Sequence, residues 1–260
     1  MANYHFEVKN ISRGKGGSIT RRASYIFGEN LRDNYLNQNC YKKRSDVLFR
    51  KVFLPRAAPS EYGNLQTLCN EIDKAEKRYD ARTAKEFIGS LPNELCVDEI
   101  IKIVTEFITM NFTERGLVAI AAIHEGRNAK DMKRNNPHVH ILVTTRTLNA
   151  NGFNPKKLRE LNQKKNVEVW REQWSILQNR AYERNGLDIR VSHESLEVQG
   201  KNRIPTPHLS VIDWHREKNG LHTLAGDEKR KIREKNRQVE LEKEQSVHKQ
   251  ELEISRSRSH

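Results

Sequence analysis

Cysteine is scarce in this chain of 260 residues, which contains only Cys40, Cys69 and Cys96. Three cysteines, none spaced as C-x-x-C, exclude a disulfide framework or a zinc ribbon as the basis of the fold. No apolar run approaches the ~18 residues of a membrane-spanning helix, and residues 1–6 lack the apolar stretch of a signal peptide. We therefore expect a protein of the reducing cytoplasm that does not insert into a membrane.

Acidic residues are also in the minority, because 34 Asp and Glu face 47 Lys and Arg and the net charge is +13. Residues 226–260 hold 10 basic and 8 acidic residues, which leaves +11 on residues 1–225. An excess of this size predicts a polyanionic partner such as nucleic acid, because each neutralised phosphate releases counterions. A basic protein without such a partner is the alternative. We interpret residues 1–225 as the folded domain and residues 226–260 as a charged helix or a disordered tail.

Hydrophobic periodicity predicts an α+β fold with a mostly antiparallel central sheet flanked by helices. Residues 117–123 form a continuous apolar run, and the strand pattern 138–145 follows after a polar loop. We expect these two to be buried antiparallel neighbours. Residues 40–63 are predicted to be irregular, because Pro55 and Pro59 interrupt them. The remaining predicted strands cover 4–9, 85–91 and 189–193, and the predicted helices cover 18–28, 65–79, 97–112 and 154–184.

Three histidines are placed to converge. Alternate side chains of a strand share a face, so His138 and His140 point the same way. His124 ends the preceding strand and would lie beside them in an antiparallel pair. Three neutral imidazoles that meet at one point are typical of a divalent metal site that polarises a phosphate oxygen. A set of solvent-facing histidines is the alternative, and the spacing does not separate zinc from manganese or magnesium.

Basic residues cluster in two segments that we predict to contact a phosphate backbone. The first follows the opening strand, has a glycine-rich turn at residues 12–17 and leads into a helix that presents its N-terminal amides. The second is the loop 125–137. A flexible turn and a solvated loop are the alternatives. Tyr25 lies just past the first segment, where helical spacing alone favours a packing role. The predicted DNA-contacting residues are Lys15, Arg21, Arg22, Arg127, Lys133 and Arg134.

Five segments together carry a resemblance to a known family. They are YHFEVKNISRGKGGSITRRASYIFGE at 4–29, DARTAKEFIGSLPNEL at 80–95, AAIHEGR with NPHVHILVTTR within 121–146, WREQWSILQNRAYERNGLDIRVSHESLEVQG at 170–200, and IPTPHLS at 204–210. In this order, over about residues 1–210, the chain resembles the MobA/MobL family of plasmid mobilisation relaxases, a branch of the HUH endonucleases. The H-x-H spacing alone would not be specific, whereas the combination is.

The resemblance implies a transesterification. Tyr25 would attack one phosphate at a plasmid origin of transfer and release a 3′-hydroxyl. The strand would stay attached as a 5′-phosphotyrosine, which conserves the bond energy for later rejoining. His124, His138 and His140 match the family's metal ligands, with magnesium or manganese favoured and zinc as the alternative. The metal would stabilise charge on the pentavalent phosphate.

The resemblance also implies an acidic residue and several partners. Glu86 lies on the strand that matches the family's acidic position, as a candidate base or as an orienting carboxylate, and Asp80 and Glu125 compete with it. The implied partners are single-stranded or supercoiled plasmid DNA at the transfer origin, accessory mobilisation proteins and a coupling protein, within a bacterial cytoplasm. Four of the histidines outside the motif are assigned no chemistry: His193, His208, His215 and His222.

Three other functions compete with a conjugative relaxase. A rolling-circle replication initiator shares the fold, but initiators usually place the tyrosine after the histidines, and Tyr25 precedes them. A non-catalytic origin-binding DNA module would have the fold without the nicking chemistry. A zinc phosphodiesterase acting on small substrates would form no covalent DNA adduct.

Overall fold

The structure is a computed structural model that describes residues 4–41, 43–127, 131, 135–207 and 209–257. The chain divides into two compact units, of which one ends at His193 and the other begins at Glu194. Among the described residues, the first unit contains the sheets and four α-helices, and the second contains two α-helices. No helix in these ranges is both long and apolar enough to cross a membrane.

The first unit is built on one large antiparallel sheet. Its strands are β1 (Phe6–Ser12), β4 (Val47–Phe53), β5 (Arg82–Ser90), β6 (Leu117–His124), β7 (His138–Asn149) and β8 (Gly152–Lys157). Two short strands, β2 (Leu31–Asp33) and β3 (Gln38–Cys40), form a separate hairpin. The strand order is β1-β5-β7-β6-β4, and β8 pairs with β7 outside this path. The strands β6 and β7 are therefore central and antiparallel, and the α+β prediction is confirmed.

Helices cover both faces of the sheet, and this is why β6 is apolar from Leu117 to Ile123. The helices are α1 (Ile19–Phe27), α2 (Leu65–Ala75), α3 (Val97–Asn111) and α4 (Lys164–Arg184). Every residue of β6 is buried. Ile123 belongs to the core formed with α3 and α4, whereas its neighbour Ala122 belongs to the core formed with α1 and α2. Such two-sided burial is what a continuous apolar run predicts.

The ends of α1 follow from two residues. The Ser18 hydroxyl accepts a hydrogen bond from the backbone N–H of Arg21, as an N-cap does. Gly28 ends the helix in the left-handed region with φ of 67°, a conformation that costs glycine little. Both ends lie where the sequence predicts them, so Tyr25 is placed in the last turns of a short, well-defined helix.

The predicted helix start at residue 154 is wrong. Asn154 and Pro155 lie in β8, which pairs with β7 through a two-residue turn at Ala150-Asn151, and α4 begins at Lys164. The missed signal is the group Asn149, Asn151 and Gly152, whose residue types favour turns. A proline is tolerated here because β8 pairs on one side only.

Two further predictions are corrected. Residues 47–53, predicted to be irregular, form β4 and pair with β6 at the edge of the sheet. Residues 189–193, predicted to be a strand, are not one. Instead the side chain of Asn179 on α4 satisfies the backbone of Val191, accepting from its N–H at 2.8 Å and donating to its carbonyl at 2.9 Å. The polar backbone groups are thus paired without a neighbouring strand.

The second unit holds the charged C-terminal segment, which is helical. Its helices are α5 (Val211–Lys218) and α6 (Leu224–Ser257). The side chain of Asn236 on α6 accepts from the N–H of Ile204 and donates to its carbonyl, both at 2.8 Å. Within the segment 226–260, the residues up to Ser257 lie in α6, and residues 258–260 lie outside the described residues. The domain boundary after residue 225 stays a prediction.

Candidate active site

The register of β6 and β7 brings the three histidines together. His124 lies directly opposite His138, and Ala122 lies opposite His140. Their side chains share the face covered by α1 and α2. One ring nitrogen of each comes within 4.8 Å of the others, so the group could hold a metal ion. His124 and His140 are buried and His138 is half-buried, which keeps one side of the cluster accessible.

Each imidazole has one nitrogen engaged by an oxygen. His124 donates from Nε2 to the Ile26 carbonyl at 2.8 Å, and His138 donates from Nδ1 to the Asn136 carbonyl at 2.8 Å. His140 donates from Nδ1 to Glu86 at 2.9 Å. A metal-bound histidine is normally oriented in this way by a bond from its other nitrogen. Among the residues that the structure describes, the opposite nitrogen of His124, Nδ1, is buried and has no hydrogen-bond partner, so the donor set fits a cation at this point.

The protonation of the cluster also suits a metal. Burial, with the charge of Arg44 as a smaller contribution, lowers the pKa of His124 to about 4. Burial also lowers the pKa of His140, although its hydrogen bond to Glu86 acts in the opposite direction. Both rings are therefore neutral near pH 7 and keep a lone pair for a ligand bond.

Glu86 supports the cluster from the neighbouring strand β5. Its carboxylate is buried and accepts from His140 and from Arg22 Nε at 2.8 Å. Burial alone would raise the pKa of Glu86, but the hydrogen bonds from His140 and Arg22 outweigh it and lower the pKa. The competing acids lie elsewhere: Asp80 pairs with Arg78, and Glu125 pairs with Arg127.

The helix α1 connects Tyr25 to the histidines. Arg22, Tyr25 and Ile26 are spaced i, i+3 and i+4, so they lie on one face of the helix. The Arg22 Nη2 atom lies 3.2 Å from His140 Nδ1, and the Ile26 carbonyl binds His124. The Arg22 guanidinium carbon also lies 4.8 Å from the centroid of the Tyr25 ring. The tyrosine is thus next to the cluster, on a helix held to it at two points.

The predicted DNA-contacting residues fall into two places. A cleft of about 410 Å³ opens beside Tyr25, and its lining includes Lys15, Arg21 and Arg22. Gly17 is required in this wall, because a Cβ there would lie 2.9 Å from the Ser12 carbonyl oxygen. In the loop after β6, Arg127 forms an ion pair with Glu125. Lys133 and Arg134, predicted with it, lie outside the described residues, as does His208.

Arg44 and Asp46 were not among the predicted site residues. Arg44 donates from Nε and Nη2 to the two carboxylate oxygens of Asp46, at 2.8 and 2.6 Å. Its guanidinium carbon lies 4.8 Å from the centroid of the Tyr25 ring, the same distance as that of Arg22. The backbone carbonyl of Asp46 accepts from the N–H of Glu125, next to His124. The sequence carried no signal for these contacts, since they depend on how the segment before β4 passes the end of α1.

The fold and the site together describe one kind of protein, in which the central strands of an antiparallel sheet carry three histidines beside a tyrosine on a short helix. The model of the MobA/MobL family matches residues 17–219. The chain therefore belongs to the MobA/MobL family, and the predicted resemblance is confirmed.

Individual relatives agree with this membership. The chain is 29% identical over 242 residues to a probable conjugal transfer protein TraA of Sinorhizobium fredii, which covers 81% of this chain and 21% of that protein. It is 27% identical over 259 residues to the mobilization protein MobL of Acidithiobacillus ferridurans, covering 89% of this chain and 66% of that protein. A structure solved for the molecular basis of vancomycin resistance transfer in Staphylococcus aureus has a TM-score of 0.67 and 28% identity, and covers 75% of this chain and 100% of that chain. The chain thus spans about a fifth of the TraA protein.

Proposed function

We propose that this chain is the nicking unit of a conjugative relaxase, which cuts one DNA strand at a plasmid origin of transfer through Tyr25. The observation that carries the proposal is the double attachment of α1. Its Ile26 carbonyl binds His124, and its Arg22 binds Glu86 beside His140. A nucleophile held in this way next to three converging imidazoles has the arrangement that metal-assisted phosphoryl transfer requires.

The metal ligands in this proposal are His124, His138 and His140, and the cation is magnesium or manganese, with zinc as the alternative. When bound, the cation supplies positive charge that polarises a non-bridging oxygen of the scissile phosphate. Neutral ligands leave that charge uncancelled. Glu86 acts as the orienting residue of this set, because its carboxylate already binds both His140 and Arg22.

In the proposed step one phosphoester bond forms and one phosphoester bond breaks. The phenolic oxygen of Tyr25 forms a bond to phosphorus, and the bond between phosphorus and the 3′ oxygen breaks. The phenol loses a proton and the 3′ oxygen gains one, so the products are a 5′-phosphotyrosine and a free 3′-hydroxyl. The reverse reaction rejoins the strand without an external energy source.

The strand enters along the basic cleft beside Tyr25. Lys15, Arg21 and Arg22 line it and would neutralise phosphates without reading sequence. Arg127 extends this surface after β6, together with Lys133 and Arg134 by their place in the sequence. The substrate is transfer-origin DNA in single-stranded or supercoiled form, and accessory mobilisation proteins and a coupling protein are the proposed partners in the cytoplasm. Residues 1–225 form the proposed nicking domain, followed by the charged segment 226–260.

The experiment is an adduct assay. The protein is mixed with single-stranded oligonucleotides from the origin region of its own plasmid and with a divalent cation, and a denaturant-stable DNA adduct is expected that peptide mapping locates at Tyr25. Tyr25→Phe removes the nucleophilic oxygen, so it should abolish the adduct and leave oligonucleotide binding intact. Tyr79→Phe, at a residue that is 80% exposed, is the matched control and should keep the adduct. Absence of an adduct with magnesium, manganese and zinc would refute the proposal, and binding without an adduct would favour the origin-binding module.

A further inference from the structure

Arg44 approaches Tyr25 from the segment that precedes β4. This segment passes close to the end of α1, where Gly28 leaves room for it. A Cβ on Gly28 would lie 3.1 Å from both the Cβ and the backbone nitrogen of Arg44. The absence of a side chain at residue 28 therefore allows a cation from another part of the chain to lie one helical turn from the nucleophile.

The guanidinium of Arg44 is fixed in orientation. Asp46 binds it through Nε and Nη2, in the two-bond geometry that restrains an arginine most strongly. The two side chains are only 15% and 26% exposed, so the pair is partly shielded from water. Asp46 accepts from Nε and Nη2, which leaves the other donors of this guanidinium for other acceptors.

The acceptor next to Arg44 is Tyr25. The guanidinium carbon is 4.8 Å from the centroid of the phenol ring. The pKa of Arg44 is raised, first by its hydrogen bonds to Asp46 and also by a hydrogen bond to the Tyr25 side chain. The only polar atom of that side chain is the phenolic oxygen, which is the atom that attacks phosphorus in the proposed reaction.

Arg22 and Arg44 differ in what they do at the tyrosine. Both guanidinium carbons lie 4.8 Å from the ring centroid. Arg22, however, gives Nε and Nη2 to Glu86, the residue that orients His140. Arg44 is held by an acid that has no bond to the histidines among the described residues. Arg22 is thus hydrogen-bonded to the residue that orients the histidine cluster, whereas the guanidinium of Arg44 lies against the nucleophile.

We propose that Arg44 is a further catalytic residue of the nicking reaction, whose guanidinium donates to the phenolic oxygen of Tyr25 while that oxygen carries negative charge. Asp46 is the positioning residue that holds it there. This inference rests on the proposed function. The oxygen loses its charge as its bond to phosphorus forms and regains it when the strand is rejoined, so Arg44 acts in both directions. A donor that is already in position costs no reorganisation during the reaction.

The test compares Arg44→Ala with Arg50→Ala as a matched control. Arg50 is a basic residue of β4 that also lies at the end of α1, where it donates to the Phe27 carbonyl, and it pairs with Glu29. Cleavage and rejoining are measured in single turnovers at saturating oligonucleotide with manganese, which separates chemistry from binding. Arg44→Ala should lower both rates by about 10²–10³-fold, the usual loss for one donor at a developing oxyanion. Arg50→Ala should stay close to the wild type.

Chemical rescue separates a catalytic cation from a structural one. Guanidinium chloride, at a concentration well below that which unfolds the protein, should restore part of the Arg44→Ala rate. Urea and sodium chloride at the same concentration should not. Arg44→Lys, which keeps the charge without the planar donor geometry, should fall between Arg44→Ala and the wild type.

Each outcome decides the proposal. Slow cleavage and rejoining in Arg44→Ala, with guanidinium rescue and an unchanged manganese affinity, support it. Rates equal to those of Arg50→Ala, or a rate loss without rescue in a folded variant, overturn it. If Arg44→Ala fails to fold, Asp46→Asn replaces it and should slow the reaction without guanidinium rescue, and an unaltered rate overturns the proposal. If the wild-type protein forms no adduct, the proposed function itself is refuted. If the wild type and Arg44→Ala are equally active, only the role of Arg44 is refuted.

Discussion

The substitution Glu86→Gln tests how the metal cluster is oriented. It keeps the size of the side chain but removes the charge that accepts from His140 Nδ1 at 2.9 Å and from Arg22 Nε at 2.8 Å. His140 and Arg22 both donate to the same oxygen, Glu86 Oε1, so a glutamine accepts these bonds with a neutral amide oxygen and holds the His140 ring less firmly. Mutation of such a partner weakens metal binding by about 10–100-fold, which corresponds to about 1.4–2.8 kcal/mol.

Glu86→Gln should also lower the free energy of unfolding, but by less than the loss of a fully buried ion pair would. Breaking a buried ion pair costs about 3–5 kcal/mol. The Arg22 side chain is 29% exposed and regains part of its hydration, so we expect about 1–3 kcal/mol. Urea unfolding of the metal-free protein measures this loss, and calorimetric titration with manganese measures the affinity.

Glu76→Gln is the control for Glu86→Gln. Glu76 is also a buried carboxylate, but it binds Arg146 and Lys157 near the opposite end of β7 from His138. It should therefore reduce stability to a similar or larger extent and leave the manganese affinity unchanged. Equal manganese affinities in the two variants would refute the orienting role of Glu86.

Two further predictions concern the backbone near His138 and an ion pair far from the site. Gly126→Ala should weaken manganese binding, because its Cβ would lie 2.2 Å from the Asn136 carbonyl oxygen that His138 binds. Gly186→Ala is also at a positive φ, but no described atom lies within 4 Å of its Cβ, so it should leave the affinity unchanged, and equal affinities in the two would contradict the reasoning. Hydrogen bonds from Lys102 and Arg184 lower the pKa of Glu99 from 4.5 to about 2. Its contribution to stability is complete above the ordinary value and is lost as the pH falls towards 2. The difference in thermal midpoint between the wild type and Glu99→Gln should therefore shrink between pH 4.5 and 2, and a constant difference would argue against this ion pair.

The sequence predicted the centre of the fold better than its edges. The strand β6 and residues 139–144 of β7 are buried, so their apolar residues follow one another and the pattern is clear. The edge strand β4 is only partly buried and carries Arg50 and Lys51 among its apolar residues, which hides its strand character. The segment around Val191 has a strand-like composition, but a single asparagine side chain satisfies it, and no periodicity reveals such a contact.

The candidate site also has one part that the sequence predicted and one part that it did not. The convergence of His124, His138 and His140 follows from the alternation of strand side chains and from one antiparallel connection, both of which are visible in a sequence. The attachment of Tyr25 depends on a backbone carbonyl, and backbone groups have no sequence signature. The position of Arg44 depends on a close approach at Gly28. Local patterns predict the ligands, whereas only the folded chain shows what surrounds the nucleophile.

The Ile26 carbonyl that binds His124 belongs to the last turn of α1, and this has an electrostatic consequence. Carbonyls at the C-terminal end of a helix lack partners within it and carry the negative end of the helix dipole. The N–H of His124 points at this negative end, which draws positive charge towards Nε2 and leaves Nδ1 richer in electron density. The peptide dipoles of the tyrosine helix therefore strengthen one ligand of the metal, so a shortening of that helix would reduce the basicity of the ligand even if every side chain stayed in place.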